Sequence, residues 1–181
     1  MNRARITLLM IAGLAAPAQA AEIDTAQSSI TWTGSKVTGD SHTGVVPVKS
    51  SKLRVKGGQV VGGGVVMDMA NFTVTDLKGK WADKFIGHMH SKDFFNTKQF
   101  PTASLTIKSI KNGTLQGTLT IMGTAQPISF PVKRDGAFYV GKASFDRTKY
   151  GIKYGSGSFF KGLGNRMIND QVDVAFRIAV K

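Results

Sequence analysis

Apolar and polar residues alternate with a period of two along most of the chain. Ile30, Trp32 and Gly34 share one face of a first segment, and Val65, Met67 and Met69 one face of another. Ala103, Leu105 and Ile107 alternate with Ser104, Thr106 and Lys108; Leu115, Gly117, Leu119 and Ile121 alternate with Gln116, Thr118 and Thr120. Ile128, Phe130 and Val132 follow, and Val172, Val174, Phe176, Ile178 and Val180 end the series. Side chains of a strand point alternately to its two faces, so this period predicts half-buried strands in a mostly antiparallel sheet. Between the runs lie Lys56-Gly57-Gly58, Lys111-Asn112-Gly113 and Arg134-Asp135-Gly136, whose Asn-Gly and Asp-Gly pairs accept the positive φ of tight hairpins. About eight short strands joined in this way imply a sandwich or an up-and-down barrel. Gly62-Gly63-Gly64 inside a strand pattern suits the bulges of a closing sheet.

Two stretches break the alternation. From about Trp81 to Phe95 the apolar positions Trp81, Phe85 and Met89 have helical spacing, with Ser91 placed to cap a further turn containing Asp93, Phe94 and Phe95. Pro101 then allows the next strand to begin. The second stretch, Tyr150 to Ile168, is rich in glycine and aromatics and predicts a long loop, a place where function concentrates.

The N-terminus adds a location. Arg3 and Arg5 precede an apolar run from Ile6 to Leu14, and Ala18-Gln19-Ala20 supplies a small-residue cleavage pattern. Residues 1–20 read as a secretory signal peptide cleaved after Ala20, leaving a mature domain of residues 21–181 and predicting a periplasmic protein. The chain has no cysteine, so packing and hydrogen bonds must hold it together, and no thiol is available for nucleophilic chemistry. Its net charge is +13; loss of Arg3 and Arg5 leaves +11 on the mature chain. The cations are scattered singly, without a block or motif, and with export this argues against nucleic acid. They allow transient contact with an anionic membrane surface, or serve solubility alone. A dimer is left open.

Candidate chemistry is sparse. No phosphate-loop pattern is present; Gly155-Ser156-Gly157 is only a fragment of one. His88-x-His90 with Asp83 and Asp93 is the sole cluster with a metal flavour, but on a helix the two histidines diverge, so no metal is expected. Asp146-Arg147 reads as an ion pair or anchor at a strand end, and no nucleophile–base pair can be drawn. What is plentiful is aromatic and methionine side chains. Trp32, Met67, Leu105, Leu119, Phe130 and Phe145 from the strands, Phe85, Met89, Phe94 and Phe95 from the helical stretch, and Phe159 and Phe160 from the loop could line an apolar cavity. A barrel of about eight strands can hold one small ligand, and adaptable apolar linings suit elongated pockets.

Several segments resemble the YceI-like family in its own order. They are Ile30-Thr-Trp32-Thr-Gly34-Ser-Lys36-Val-Thr-Gly39, Gly63-Gly-Val-Val-Met-Asp68-Met69, and the run from Gly87-His88 through Ser91-Lys-Asp93-Phe94-Phe95 to Pro101-Thr-Ala103. Leu119-Thr-Ile121-Met-Gly123 to Pro127-Ile128, and Phe145-Asp146-Arg147-Thr-Lys-Tyr150-Gly151-Ile152, complete the set. The chain departs from the family pattern at Asn96, where an acid is usual, and at His90, where a lysine is common. The resemblance implies a lipocalin-like antiparallel barrel with one or two short helices, whose elongated cavity holds a polyisoprenoid such as an isoprenoid quinone or a polyprenyl phosphate. No other cofactor is expected. His88, Asp93 and Arg147 fall in the family's most recognisable motifs and are candidates for the polar mouth, Arg147 as the partner of a phosphate head. The leading expectation is thus a periplasmic carrier or sequestering protein for a long isoprenoid, and not an enzyme. The alternatives are a metal- or His-assisted hydrolase using the same pocket, and a stress-related protein-binding adaptor with an empty barrel. An outer-membrane barrel fits poorly, because the chain ends Ala179-Val180-Lys181 without the aromatic terminus of that class.

Overall fold

The computed structural model describes residues 17–181, so most of the segment read as a signal peptide lies outside the described residues. Ten strands follow: β1 (Gln19–Ala21), β2 (Ile23–Lys36), β3 (Ser41–Val45), β4 (Val48–Lys56), β5 (Gln59–Asp68), β6 (Thr102–Lys111), β7 (Thr114–Ile121), β8 (Thr124–Asp135), β9 (Phe138–Asp146) and β10 (Ile168–Val180). A helix, α1 (Gly79–His90), lies between β5 and β6. All named strands pair antiparallel in one sheet of order β1-β4-β5-β6-β7-β8-β9-β10-β2-β3.

The all-β antiparallel class is as expected, but two points differ. There are ten strands rather than about eight, because β1 and β3 are short and their Gln-Ala-Ala and Ser-His-Thr-Gly-Val sequences carry no apolar alternation. The backbone ladder also does not close. β1 and β2, separated only by Glu22, pair with β4 and β10 respectively, so one stretch of chain lies between the two ends of the curled sheet. Where a closing ladder would need a backbone acceptor, the Ile23 amide donates instead to the Ser51 hydroxyl of β4, at 2.7 Å.

Hairpin chemistry sets the register. Lys111 pairs with Thr114 across Asn112 (φ 50°) and Gly113 (φ 70°), the left-handed pair that a twist-matched two-residue turn requires. Asp135 pairs with Phe138, so the third loop is Gly136-Ala137, one residue later than the Asp-Gly signal suggests. The hairpin loops 57–58, 112–113 and 136–137 share one end of the sheet with Glu22 and Lys181, which exchange backbone hydrogen bonds. The long connections, 69–101 and 147–167, meet at the other end.

The inward faces form two buried clusters. Ile23, Leu53, Val60, Ile107, Leu115 and Phe130 belong to one, toward the hairpin end. Met69, Phe72, Phe94, Leu119, Tyr150 and Ile152 belong to the other, under the helix and the long loop. Ile128 packs against both, and members of each line one cavity.

Candidate functional site: an apolar cavity with one polar mouth

The cavity is about 500 Å³ and runs from Ile23, Val60 and Tyr139 at the hairpin end to Trp32, His42 and Phe85 at the helix end. Each inward strand face contributes: Ile30 and Trp32 of β2, Val65 and Met67 of β5, Leu105 and Ile107 of β6, Leu119 of β7, Phe130 of β8, Phe145 of β9 and Val172 to Val180 in steps of two on β10. Its size is in the range of pockets that enclose a small ligand. Toward the hairpin end the interior is almost wholly apolar. The Tyr139 hydroxyl there accepts from the Val60 amide at 2.9 Å.

Polar lining groups gather at the helix end: Ser35, Lys36, Asp40, His42, Arg147 and Asn169. His42, on β3, lies with Nδ1 2.8 Å from Asp76 Oδ2, and the other Asp76 oxygen accepts from the Thr43 amide at 2.8 Å. Partial burial acts to raise the Asp76 carboxyl, but these hydrogen bonds outweigh it and hold the group below its ordinary value. Asp76 thereby fixes the imidazole and leaves Nε2 as the ring's second polar atom at the mouth. Asn169 donates to the Ser35 hydroxyl at 2.9 Å and the Lys36 carbonyl at 3.2 Å, and the Lys36 ammonium is 4.0 Å from Asp40.

Helix α1 stands over this mouth. Lys78 precedes it in extended conformation, without a side-chain cap, and no residue of the helix is fully buried. Its half-buried face carries Phe85 and Met89 into the cavity lining. The helix ends at His90, and a further turn containing Asp93, Phe94 and Phe95 follows behind Ser91, as its sequence suggested. Ser91 stops it: its carbonyl accepts from Phe94 and Asn96, and its hydroxyl from Asp93. The resulting tight turn buries Phe94 and places Phe95 beside Phe72.

The structure brings Trp32, Met67, Phe85, Met89, Phe94, Phe95, Leu105, Leu119, Phe130 and Phe145 together around the cavity. Phe159 and Phe160 are elsewhere. They are 48% and 50% exposed on the 147–167 connection and do not line it, because a glycine-rich loop carries no periodicity from which a facing direction could be read. His88 and Asp93 are also corrected. His88 Nε2 is 3.1 Å from Asp93 Oδ2 on the outer rim, against Tyr154, and neither residue lines the cavity. His90 turns away to Thr97, at 2.7 Å, and burial lowers its pKa. Among the described residues no three metal-ligating side chains come together.

Arg147 lies at the cavity wall, but four of its five donors go to backbone carbonyls. Nε donates to the Asn169 carbonyl, one terminal nitrogen to those of Ile152 and Tyr154, and the other to that of Ile168, at 2.9–3.1 Å. The last nitrogen also lies 3.5 Å from Asp170 Oδ1. A guanidinium has five N–H donors; four here go to backbone carbonyls, and the remaining one belongs to the nitrogen that faces the Asp170 carboxylate, so the charge is already countered within the protein. The rest of the segment has the same purpose. Asp146 accepts from the Thr148 amide, Tyr150 and Ile152 are buried, and Gly151 takes the left-handed conformation (φ 88°) that ends a single 3-10 turn. This motif builds the loop beside the mouth.

Sequence reasoning missed the mouth itself. His42 and Asp76 are 34 residues apart, and Asn169 is 134 from Ser35. The only trace in the sequence is that polar residues replace apolar ones on the inward face of β2 after Gly34.

Fold and cavity define a class: a curled antiparallel sheet that encloses one elongated apolar space and admits polar groups at one end. Within that class the chain belongs to the YceI-like family, whose domain matches residues 22–180. Solved structures with the same fold include BcnA of Burkholderia cenocepacia, at 19% identity over 88% of this chain and 99% of that one, with a TM-score of 0.61. A polyisoprenoid-binding domain from Saccharophagus degradans, described as implicated in plant cell wall breakdown, superposes with a TM-score of 0.63 at 16% identity, over 89% and 97% of the two chains. The YceI protein of Campylobacter jejuni is 14% identical over 100% and 91%, with a TM-score of 0.51. No curated protein matches the chain.

Proposed function

We propose that this protein binds one long isoprenoid lipid, its tail in the cavity and its head at the mouth by Ser35, Lys36, His42 and Asn169, and that it carries or sequesters that lipid in the periplasm after cleavage following Ala20. In this reading residues 21–181 act as one domain, with only Ala21 of β1 remaining after cleavage, and the sheet acts as a closed barrel. The observation that carries the proposal is the polarity of the cavity, apolar along its length with hydrophilic side chains at one end. Each buried methylene contributes about 0.8 kcal/mol, so a chain of isoprene units is held firmly with few polar contacts. Membership in the YceI-like family, and the fold shared with a polyisoprenoid-binding domain, support the same ligand class.

The mouth favours a neutral head. Arg147 gives four of its five donors to backbone carbonyls and faces Asp170, and Lys36 faces Asp40, so each cation of the lining already has an anion beside it. A quinone, which accepts hydrogen bonds without carrying charge, fits better than a phosphate. The hydrolase alternative loses the histidines it relied on, since His88 and His90 bond to Asp93 and Thr97 outside the lining.

Mass spectrometry of organic extracts from the natively exported protein tests this. One isoprenoid quinone per chain is expected. A lipid-free protein that also fails to take up an added isoprenoid quinone would overturn the proposal, and a stoichiometric polyprenyl phosphate would overturn the assignment of the head.

A further inference from the structure

The correction of Phe159 and Phe160 leaves two large apolar side chains in solvent, and their surroundings give them a use. They belong to the connection 147–167, which carries the exposed cations Lys149, Lys153, Lys161 and Arg166 and no acidic residue. The Lys153 ammonium lies 4.6 Å from the centre of the Phe159 ring. The loop is braced from beneath: Ser156 is fully buried, the Phe159 and Phe160 amides both donate to its carbonyl, and the Ser158 hydroxyl donates to Asp170 at 2.6 Å. The two rings are therefore held outward on a fixed turn.

The same end of the molecule carries further exposed apolar groups. Val37, 51% exposed, tops the β2–β3 hairpin and is tied to the loop by its amide, which donates to the Met167 carbonyl at 3.1 Å. Trp81, 63% exposed, begins α1 between Lys80 and Lys84, one turn before the cavity residue Phe85. Helix and loop meet where His88 packs against Tyr154, with ring centres 4.8 Å apart. These three elements frame the mouth lined by Lys36, His42, Phe85 and Asn169.

The geometry points to a membrane-docking rim. Phe159, Phe160, Trp81 and Val37 enter the interface of an anionic phospholipid bilayer while Lys153, Lys161, Arg166, Lys80 and Lys84 face its headgroups, setting the cavity mouth on the lipid surface. Aromatic tips beside lysines are what a lipid–water interface accepts, with rings at headgroup depth and cations toward anionic heads. A net charge of +11 on the mature chain, +13 less Arg3 and Arg5, draws the whole molecule to such a surface, and the exposed aromatics select which end lands. That the docked mouth exchanges an isoprenoid with the bilayer rests on the carrier reading above; the docking does not.

Flotation with phosphatidylglycerol-containing and with purely phosphatidylcholine vesicles tests the rim, using purified protein with and without the F159S/F160S pair. Wild type is expected to float with the anionic vesicles at low salt, to release at about 0.5 M salt where the Debye length is only a few ångströms, and to bind phosphatidylcholine much less. The pair is expected to weaken anionic binding about tenfold or more, two interfacial phenylalanines being removed. Its bound-lipid content should be unchanged, because neither residue lines the cavity. A blue shift of Trp81 emission should accompany binding, read in the Trp32→Phe background. Absence of wild-type flotation at low salt, or equal flotation of the pair, overturns the proposal. So does sedimentation showing a dimer that the pair dissociates, since the patch would then be a contact between copies of this chain. A failed carrier reading appears separately, as an extract without isoprenoid from protein that still floats.

Discussion

The rings of Trp32 and Phe85 lie parallel, 3° apart in plane with centres 6.1 Å apart, and this offset stack fastens α1 to β2 across the cavity mouth. The Trp32 indole N–H donates to the Thr73 carbonyl at 3.0 Å, so the strand partner is locked. The helix partner is held by packing alone, on Trp32 and on His42 with ring centres 4.6 Å apart. Phe85→Ala should therefore free the helix before it harms the sheet. The expected cost is about 2 kcal/mol of stability, from half-buried area and a lost aromatic pair. Hydrogen exchange should show the α1 amides opening while β6 and β7 stay protected, and bound lipid should dissociate faster. Uniform loss of protection would show that α1 is integral to the core.

Leu119 tests the cavity beneath the helix and the long loop. It is buried on β7 and lines the cavity directly. Leu119→Arg places a charge in an apolar space with no partner, which excludes an isoprenoid tail and costs stability together. Leu119→Met preserves volume and should leave both nearly unchanged. Lipid retained by a folded Leu119→Arg protein would mean that the tail lies elsewhere.

Period two made the inward faces of β2, β5, β6, β7, β8 and β10 legible, and the residues placed inward from Ile30 to Val180 line the cavity apart from Gly117. Loop residues were not legible in this way. Phe159 and Phe160 have the same composition signal as Phe94 and Phe95, yet only the latter are folded under a helix end, by hydrogen bonds to Ser91 and to the Met89 carbonyl. His88, Asp93 and Arg147 belong to the most recognisable motifs. Two of them sit on the outer rim, and the third is turned to four carbonyls from residues up to 22 positions away. The mouth depends on pairs such as His42 with Asp76, which no local pattern connects.

One glycine marks where the connection 69–101 meets the sheet. Residues 73–75 run beside β3, with Thr73 and Val45 exchanging backbone hydrogen bonds at 2.9 and 3.2 Å and the Thr75 amide donating to Thr43. A Cβ at Gly44 would run into the Thr73 carbonyl oxygen, and the Trp32 indole lies close behind. Gly44→Ala must push this segment off the sheet and break the Asp76 contacts to His42 and Thr43. A loss of about 2–4 kcal/mol is expected, overpacking plus forfeited hydrogen bonds. Gly64→Ala on β5 meets only one atom, the Leu105 carbonyl oxygen at 4.0 Å, and should change the denaturation midpoint little. Equal tolerance of the two alanines would mean that the segment is not seated on β3.

Arg147 and Asp170 give the fold a defined acid sensitivity. Arg147 is 3% exposed, and its burial acts to lower its pKa against the pull of Asp170 and Asp146. For Asp170, desolvation raises the carboxyl, but the Ser158 and Ser156 hydroxyls and the Arg147 charge outweigh it, so its folded pKa lies below the ordinary value. A depressed carboxyl stabilises the fold fully above its unfolded pKa of about 3.9, and the contribution is lost as pH falls through the lower folded value. At pH 7, Asp170→Asn should cost about 1–3 kcal/mol by leaving a buried cation short of its counter-charge. Arg147→Met should cost more, about 3–5 kcal/mol, because four loop carbonyls lose their donor. Arg147→Lys should recover little, since an ammonium cannot span the same acceptors. Thermal midpoints measured from pH 7 to pH 2 check the sign. The gap between wild type and Asp170→Asn should hold from pH 7 to about pH 5 and close below about pH 4. A gap that persists undiminished at pH 2 would mean that the Asp170 charge contributes nothing to holding the loop, and that the hydrogen bonds from Arg147 to the four carbonyls suffice.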